Sequence, residues 1–206
     1  MIFKSIFRWG VIFFSLFILG SSVSKIQAQK ENNEFPLGPW PISTAEPRKI
    51  APYVPTPMVI VDKMLKLSGL KPGEVLYDLG SGDGRIIIAA AENFKAHAVG
   101  VELNEDLYNE TLKNIKTKGL GGQVRVIEGD LLEQDLRPAN VITLYLLTSA
   151  NEKIRPLMEK TLRGGSRVVS HDFKIRGWVP ETMQNVVDRN GITHNLFLYK
   201  LPQTGR

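Results

Sequence analysis

Three acidic residues each end an apolar, strand-prone run, and they are the residues of this sequence best suited to chemistry. They are Asp78, Glu102 and Asp130. The turn Gly-Ser-Gly-Asp-Gly follows Asp78 at residues 80–84, and a helix-like run begins at Arg85. In a βαβ unit, glycines let the backbone approach a bound nucleotide, and a carboxylate at the next strand end accepts the ribose hydroxyls. The spacing therefore predicts a nucleoside-binding site at the carboxyl edge of a sheet.

Alternating strand and helix patterns position these acids. We expect strands near residues 74–79, 97–102, 123–128, 140–147 and 166–172, and helices near 59–67, 84–94, 104–118 and 151–163. After Pro180, residues 181–189 and 192–201 are typical of a final strand pair. This alternation predicts an α/β fold with a doubly wound, mainly parallel sheet.

The spacing of the glycines separates two classes of nucleotide site. Dinucleotide sites have the pattern Gly-x-Gly-x-x-Gly, whereas here the last glycine falls one residue early. Residues 75–85 resemble motif I of the class I S-adenosylmethionine (SAM) methyltransferases. The resemblance implies the Rossmann-like fold of that class, with a reversed terminal strand, and SAM as the cofactor.

The same resemblance implies roles for individual residues. Asp78 is expected near the methionine ammonium, Glu102 on the ribose hydroxyls, and Asp130 on the adenine amino group beside the amide of Leu131. The other candidates for cofactor binding are Tyr53, Thr56, Gly80, Ser81, Gly82, Gly84 and Asn104. The glycines are expected to pass beneath the methionine part, and Tyr53 and Thr56 are expected to cover the cofactor. Ordinary linker packing is the alternative for those two.

Several segments together narrow the resemblance. They include Tyr-Val-Pro-Thr-Pro at 53–57, Gly-Val-Glu-Leu-Asn at 100–104 and Trp-Val-Pro at 178–180. Over about residues 51–190, the chain resembles the small lysine methyltransferases that modify the ATP synthase c subunit and the adenine nucleotide translocase, and their prokaryotic relatives. This implies a protein-lysine N-methyltransferase whose substrate is a membrane-embedded protein. A methyltransferase for a small molecule, lipid or quinone, and a non-catalytic SAM-fold binding module, are the alternatives.

The residues after the fourth strand bear on the methyl acceptor. Many amino-group methyltransferases carry Asn/Asp-Pro-Pro-Tyr here, but this chain has Leu-Tyr-Leu-Leu-Thr-Ser at 144–149. A flexible amine is therefore preferred over a planar nitrogen. Tyr145 is a candidate for shaping a lysine channel, with strand packing as the alternative. His171, at the end of strand five, is a candidate proton acceptor, with a surface or capping role as the alternative.

The N-terminal part predicts attachment to a membrane. Two basic residues precede an uncharged run at 9–24, which is short for a bilayer span but suits a signal peptide or a short anchor. We divide the chain into a hydrophobic signal or anchor segment at 1–28, a proline-rich linker and lead-in segment at 29–57, and a methyltransferase domain at 58–206. Membrane association that leaves the domain access to SAM is preferred, and export after cleavage is the alternative.

Charge and composition argue against other classes of protein. The net charge is +5, but residues 1–50 hold six Lys/Arg against three Asp/Glu, and residues 51–206 hold twenty against eighteen. The domain is therefore near neutral, and no nucleic-acid partner is expected. Cysteine is absent, and His97, His171 and His194 show no ligand spacing. No disulfide, cysteine nucleophile or metal site is expected.

Overall fold

Helices and strands alternate through residues 53–202, the part of the chain that this computed structural model describes. The helices are α1 (Met58–Leu67), α2 (Arg85–Phe94), α3 (Glu105–Thr117) and α4 (Thr148–Thr161), with a 3-10 turn at Leu131–Glu133. The strands are β1 (Val75–Leu79), β2 (His97–Glu102), β3 (Val124–Glu128), β4 (Val141–Leu144), β5 (Arg167–His171), β6 (Thr182–Val187) and β7 (Thr193–Lys200).

The strands of residues 53–202 form one sheet in the order β3-β2-β1-β4-β5-β7-β6. β1 to β5 run parallel to one another, whereas β7 pairs antiparallel with both β5 and β6. The strand order reverses between β1 and β4, and such a point is where open α/β sheets bind ligands. The predicted α/β fold, with a mainly parallel sheet and a reversed terminal strand, is confirmed.

Burial on both faces explains why β1 is apolar along almost its whole length. Tyr77 and Leu79 belong to the core cluster that includes α4, and Leu76 belongs to the cluster that includes α1 and α2. Parallel strands covered on both faces have continuous apolar runs rather than alternating ones. Asp78 is the one acidic residue in this strand, and its side chain is buried. A carboxyl group in such a position requires a polar partner.

Two element boundaries differ from the predictions by three residues, and both lie beside the candidate site. β4 ends at Leu144, three residues before the predicted end, and α4 begins at Thr148 rather than at residue 151. The apolar run continues past the strand because Leu146 is buried against Gly80. A Cβ added at Gly80 would lie 3.2 Å from Cδ2 of Leu146. The carbonyl of Leu147 then accepts two amide hydrogens from the first turn of α4. Tyr145 therefore lies in a connection at the carboxyl edge of the sheet, not in a strand.

The predicted hydrophobic segment at 1–28 and the linker up to residue 52 lie outside the described residues. Within residues 53–202, no helix combines the length and the apolar character needed to cross a membrane. The lead-in segment is described from Tyr53 onward, and it reaches α1 through Pro57, whose carbonyl accepts the first amide hydrogens of that helix.

Candidate active site

The three acids singled out in the sequence converge on one cavity. Asp78 lies in β1, Glu102 ends β2, and Asp130 follows β3. All three line a cavity of about 230 Å³ at the carboxyl edge of the sheet. The parallel arrangement explains the convergence, because the carboxyl ends of parallel strands meet at the same edge.

Glu102 joins two chain segments at this edge. Its Oε2 accepts a hydrogen bond from the amide of Gly82 at 2.7 Å. Its Oε1 accepts from the amides of Leu103 and Asn104 at 2.9 and 2.8 Å. The side chain of Asn104 in turn caps α3 by accepting from the amide of Leu107 at 3.0 Å. One carboxylate thus ties the glycine turn to the start of α3, and these three bonds leave one acceptor position, on Oε2, for a ligand.

The glycine turn has a backbone conformation that only glycine adopts easily. Gly82 has φ +56°, and a Cβ there would overlap the ring of Tyr53. Gly84 has φ +79°, and its Cβ would lie 2.6 Å from Thr111 Cγ2 of α3. Gly80 and Gly82 line the cavity, but Gly84 does not. Gly84 therefore serves the packing of the turn against α3, in contrast to its expected position beneath the cofactor.

The backbone of Ser81, rather than its buried hydroxyl group, borders the cavity. Its amide donates to the carbonyl of Val101 at 3.0 Å, which fixes the turn against β2. Its Oγ lies against Gly100, where an added Cβ would be only 2.6 Å away. The hydroxyl thus packs against β2, and Gly100 is needed to make room for it.

Asp78 is a buried acid with one polar partner from the neighbouring strand. Thr143 of β4 donates its hydroxyl hydrogen to Asp78 Oδ1 at 2.7 Å. Burial raises the pKa of Asp78 to about 7, although the hydrogen bond from Thr143 acts in the opposite direction. The nearby carboxylate of Glu102 also raises this pKa. A cation bound beside Asp78 would therefore be accompanied by loss of its proton.

Asp130 and Leu131 form the far wall of the cavity. Asp130 caps the 3-10 turn, with Oδ1 accepting from the amide of Leu132 at 2.9 Å. Its carbonyl accepts from the side chain of Gln134 at 2.6 Å. Leu131 is buried and lines the cavity beside it. Oδ2 of Asp130 therefore has acceptor capacity for a ligand amino group.

The lead-in segment lies over the glycine turn and is tied to it by Arg85. The guanidinium of Arg85 donates to the carbonyl of Thr56 at 2.8 Å and pairs with Asp83 at 2.5–3.1 Å. Tyr53 covers Gly82, and both Tyr53 and Thr56 line the cavity. The sequence had no signal for the Arg85–Thr56 contact, because the two residues belong to different segments.

Tyr145 and His171 lie together, but only Tyr145 lines the cavity. The two rings are stacked with centroids 3.8 Å apart. His171 is fully buried behind Tyr145, and its Nδ1 lies 3.5 Å from the hydroxyl oxygen of Thr56. Burial lowers the pKa of His171 to about 4, against the opposing effect of Asp172. His171 is therefore a neutral group that supports the cavity wall from behind, not a group exposed to the cavity.

His194 is a member of this region that the sequence analysis did not find. Its Nδ1 lies 2.8 Å from Nε2 of His171, and Asp172 lies beside both rings. Their ligand-capable atoms lie within 4.8 Å of one another. The spacing of the histidines along the sequence gave no indication of this cluster, because the pairing of β5 with β7 creates it. Histidine spacing alone therefore does not exclude a metal site.

Comparison with known proteins decides the family. The model of the ANTKMT methyltransferase domain matches residues 78–182. A protein-lysine N-methyltransferase of Saccharolobus islandicus (strain REY15A) is 46% identical over 149 residues, covering 72% of this chain and 92% of that protein. This chain belongs to the ANTKMT methyltransferase family. The match includes all three cavity acids.

More distant members of the family are longer than this methyltransferase. The mouse adenine nucleotide translocase lysine N-methyltransferase is 33% identical, over 63% of this chain and 56% of its own length. The human lysine N-methyltransferase of the ATP synthase c subunit is 28% identical, over 68% of this chain and 60% of its own length. This methyltransferase thus matches little more than half of each mammalian relative.

Solved structures agree with the fold. A Salinibacter ruber protein described as an RNA methyltransferase, crystallised with S-adenosyl-L-homocysteine, is 43% identical with a TM-score of 0.68. The alignment covers 74% of this methyltransferase and 97% of that chain. A Bacillus subtilis tRNA methyltransferase superposes with a TM-score of 0.60 at 16% identity, a likeness that concerns the fold alone.

Replacing Arg85 by Met is expected to loosen the lead-in segment. The change removes the contact with the Thr56 carbonyl, and hydrogen exchange in peptides over residues 53–61 should become about five to ten times faster. The matched control is Arg137→Met. Arg137 pairs with Asp135 two residues before it, as Arg85 pairs with Asp83, but the side chain of Arg137 is exposed. Equal exchange at 53–61 in both variants would show that Arg85 does not hold the segment.

Proposed function

We propose that this chain is a SAM-dependent protein-lysine N-methyltransferase whose acceptor is a lysine of a membrane protein. Family membership carries the proposal, above all the 46% identity to a protein-lysine N-methyltransferase over 92% of its length. The three cavity acids at the strand-order reversal supply the chemistry that a nucleoside cofactor requires.

The groups of the cavity wall fit SAM. Asp78 would hold the methionine ammonium, Glu102 the ribose hydroxyls, and Asp130 the adenine amino group beside the amide of Leu131. When bound, SAM supplies a methyl group activated by attachment to a sulfonium. The glycine turn and the lead-in segment would enclose the methionine part between them. No phosphate cradle is needed, because SAM carries no phosphate.

The remaining wall of the cavity suits a lysine side chain. Val54, Pro55, Tyr145 and Leu146 contribute apolar and aromatic surface. A free lysine has a pKa of about 10.4, so the amine must lose a proton before it can attack. An apolar wall and a nearby cation both favour the neutral amine. The contribution of the protein would therefore be positioning and exclusion of water rather than strong base catalysis.

Two observations support a membrane protein as the acceptor. The mammalian relatives are named for the adenine nucleotide translocase and for the ATP synthase c subunit. The sequence also has the uncharged run at 9–24, which would hold enzyme and substrate at one membrane and raise their effective concentration.

RNA is a second candidate acceptor, because the 43% identical Salinibacter ruber protein is described as an RNA methyltransferase. The charge of the domain argues against it. Residues 51–206 hold twenty Lys/Arg against eighteen Asp/Glu, whereas a nucleic-acid footprint is strongly basic.

SAM binding is expected to weaken as the pH falls below about 7. Below that pH, Asp78 is protonated in the free protein, and an ammonium placed beside it would displace the proton. The dissociation constant should therefore rise, by at most about tenfold per pH unit, as the pH decreases from 7. Calorimetry in buffers of different ionisation enthalpy measures the released proton directly. Asp78→Asn should bind SAM more weakly, with no proton release, and a pH-independent wild-type affinity would contradict this role.

Transfer of the methyl group to lysine can be tested with tritiated SAM. The full-length chain in detergent should label proteins in membranes from a source strain that lacks the gene, and mass spectrometry should place the methyl groups on lysine side chains. Membranes whose lysines were first acetylated are the control, and they should accept no label, because the amide nitrogen is not nucleophilic.

The same assay separates the rival acceptors. Label in phenol-extracted RNA, with none in protein, would reject the lysine proposal in favour of RNA methylation. Label in the lipid extract would favour a quinone or phospholipid acceptor. Label in soluble proteins alone would retain the lysine acceptor and reject the membrane substrate.

A further inference from the structure

A largely buried cluster of two imidazoles and two carboxylates lies behind the wall formed by Tyr145. His171 ends β5, His194 lies near the start of β7, and Nε2 of the first is 2.8 Å from Nδ1 of the second. Oδ2 of Asp172 lies 3.2 Å from each of these nitrogens. Oδ2 of Asp188 lies 3.7 Å from Nε2 of His194.

Asp172 is held in an unusual backbone conformation to reach this position. Its φ is +58°, a left-handed value that residues with a side chain seldom adopt. The amide of Asp172 donates to the carbonyl of Asn195 at 2.7 Å, and Oδ1 of Asp172 accepts from the amide of Asn195 at 2.7 Å. Residues held in such conformations are concentrated at functional sites. Here the conformation directs a carboxylate at the two imidazoles.

Only one hydrogen fits between Nε2 of His171 and Nδ1 of His194, which are 2.8 Å apart. The tautomer of one neutral ring therefore determines the tautomer of the other. If the hydrogen belongs to His171 Nε2, then His194 carries its own on Nε2, facing Asp188. If it belongs to His194 Nδ1, a bare Nε2 faces the carboxylate of Asp188 instead. Nδ1 of His194 also lies in hydrogen-bond geometry to Oδ2 of Asp172 at 3.2 Å. Its Nε2 has no hydrogen-bond partner among the described residues, because Oδ2 of Asp188 is 3.7 Å away. These contacts favour the second arrangement, in which the hydrogen on His194 Nδ1 is shared between His171 and Asp172.

That arrangement determines what His171 presents to the cavity wall. Its Nε2 accepts from His194, so its Nδ1 carries the hydrogen and faces the hydroxyl oxygen of Thr56 at 3.5 Å. Its ring face lies against Tyr145, with centroids 3.8 Å apart. Thr56 and Tyr145 both line the cavity. The orientation of His171 is thus transmitted to two wall residues.

We propose that His194 is a positioning residue for the acceptor side of the site. By donating its Nδ1 hydrogen to Nε2 of His171, with Asp172 beside the contact, it fixes the tautomer and ring plane that hold Thr56 and Tyr145 in place. His194 itself touches neither cofactor nor acceptor. The kinetic part of the test rests on the proposed lysine methyltransferase function, and the spectroscopic part does not.

The tautomers can be observed by nitrogen-15 NMR of the full-length chain in detergent. The chain has only three histidines, so His97→Asn and His194→Asn assign the ring signals by elimination. The expected result is a neutral His171 with hydrogen on Nδ1 and a bare Nε2 at pH 7. Hydrogen on Nε2 of His171, or signals that shift on addition of EDTA as those of a metal-bound ring would, overturns the proposal.

Two substitutions at His194 separate positioning from mere packing. His194→Phe keeps a ring but removes the donor, and kcat should fall by about tenfold or more, as for small misplacements near reacting groups. The affinity for SAM should change by less than about twofold, because His194 lies behind the wall. His194→Asn restores a donor near the Nδ1 position, and it should recover most of the lost kcat. His97→Asn, at the opposite edge of the sheet, is the matched control and should have the kcat of the unmutated chain.

The outcomes distinguish this inference from the proposed function. If the unmutated chain labels no lysine, the function fails, and the NMR result alone decides the tautomer. If lysine is labelled but His194→Phe has an unchanged kcat, the positioning role is wrong. An equal loss in the Phe and Asn variants also contradicts it, because a donor at that position would then be insufficient.

Discussion

The hydrogen bonds of the Glu102 carboxylate are the interaction on which the rest of the site depends. They join the amide of Gly82 in the turn after β1 to the amides of Leu103 and Asn104 before α3. Thr111 completes the connection by donating to the carbonyl of Gly82 at 3.0 Å. The peptide groups on both sides of Gly82 are therefore fixed before any ligand binds, which reduces the conformational entropy lost on binding. The same carboxylate lines the cavity and is also the group expected to recognise the cofactor.

Thr56 connects this cofactor half to the acceptor half. Its carbonyl accepts from Arg85 at the start of α2, and its hydroxyl lies beside His171 at the end of β5. Tyr145 lies against His171 from the other side. The lead-in segment is thus in contact with both halves of the domain, and it forms part of the cavity wall. This explains how a short connecting segment becomes part of the cavity wall.

The sequence indicated the residues that follow buried strands, and it missed those brought together by pairing. Asp78, Glu102 and Asp130 were predictable because an acid after a long apolar run is conspicuous. Thr143 and His194 were not, since their roles depend on the register of β4 beside β1 and of β7 beside β5.

The end of β4 illustrates a second limit. An apolar run does not show where strand pairing stops, so Tyr145 was assigned to a strand although it lies in a connection. Gly84 shows a third limit, because its conformation serves packing against α3 rather than the cavity. The predicted membrane segment at 1–28 stays a prediction.

Calorimetric titration of SAM into Glu102→Gln tests the central claim most directly. The amide keeps the size of the side chain, but it cannot accept at both positions that the carboxylate serves. The dissociation constant should rise by about tenfold or more, the effect of losing a hydrogen bond to a charged group. Glu105→Gln, an exposed change in the first turn of α3, is the control for charge alone and should bind as the unmutated chain does. An affinity of Glu102→Gln equal to that of the control would contradict the account.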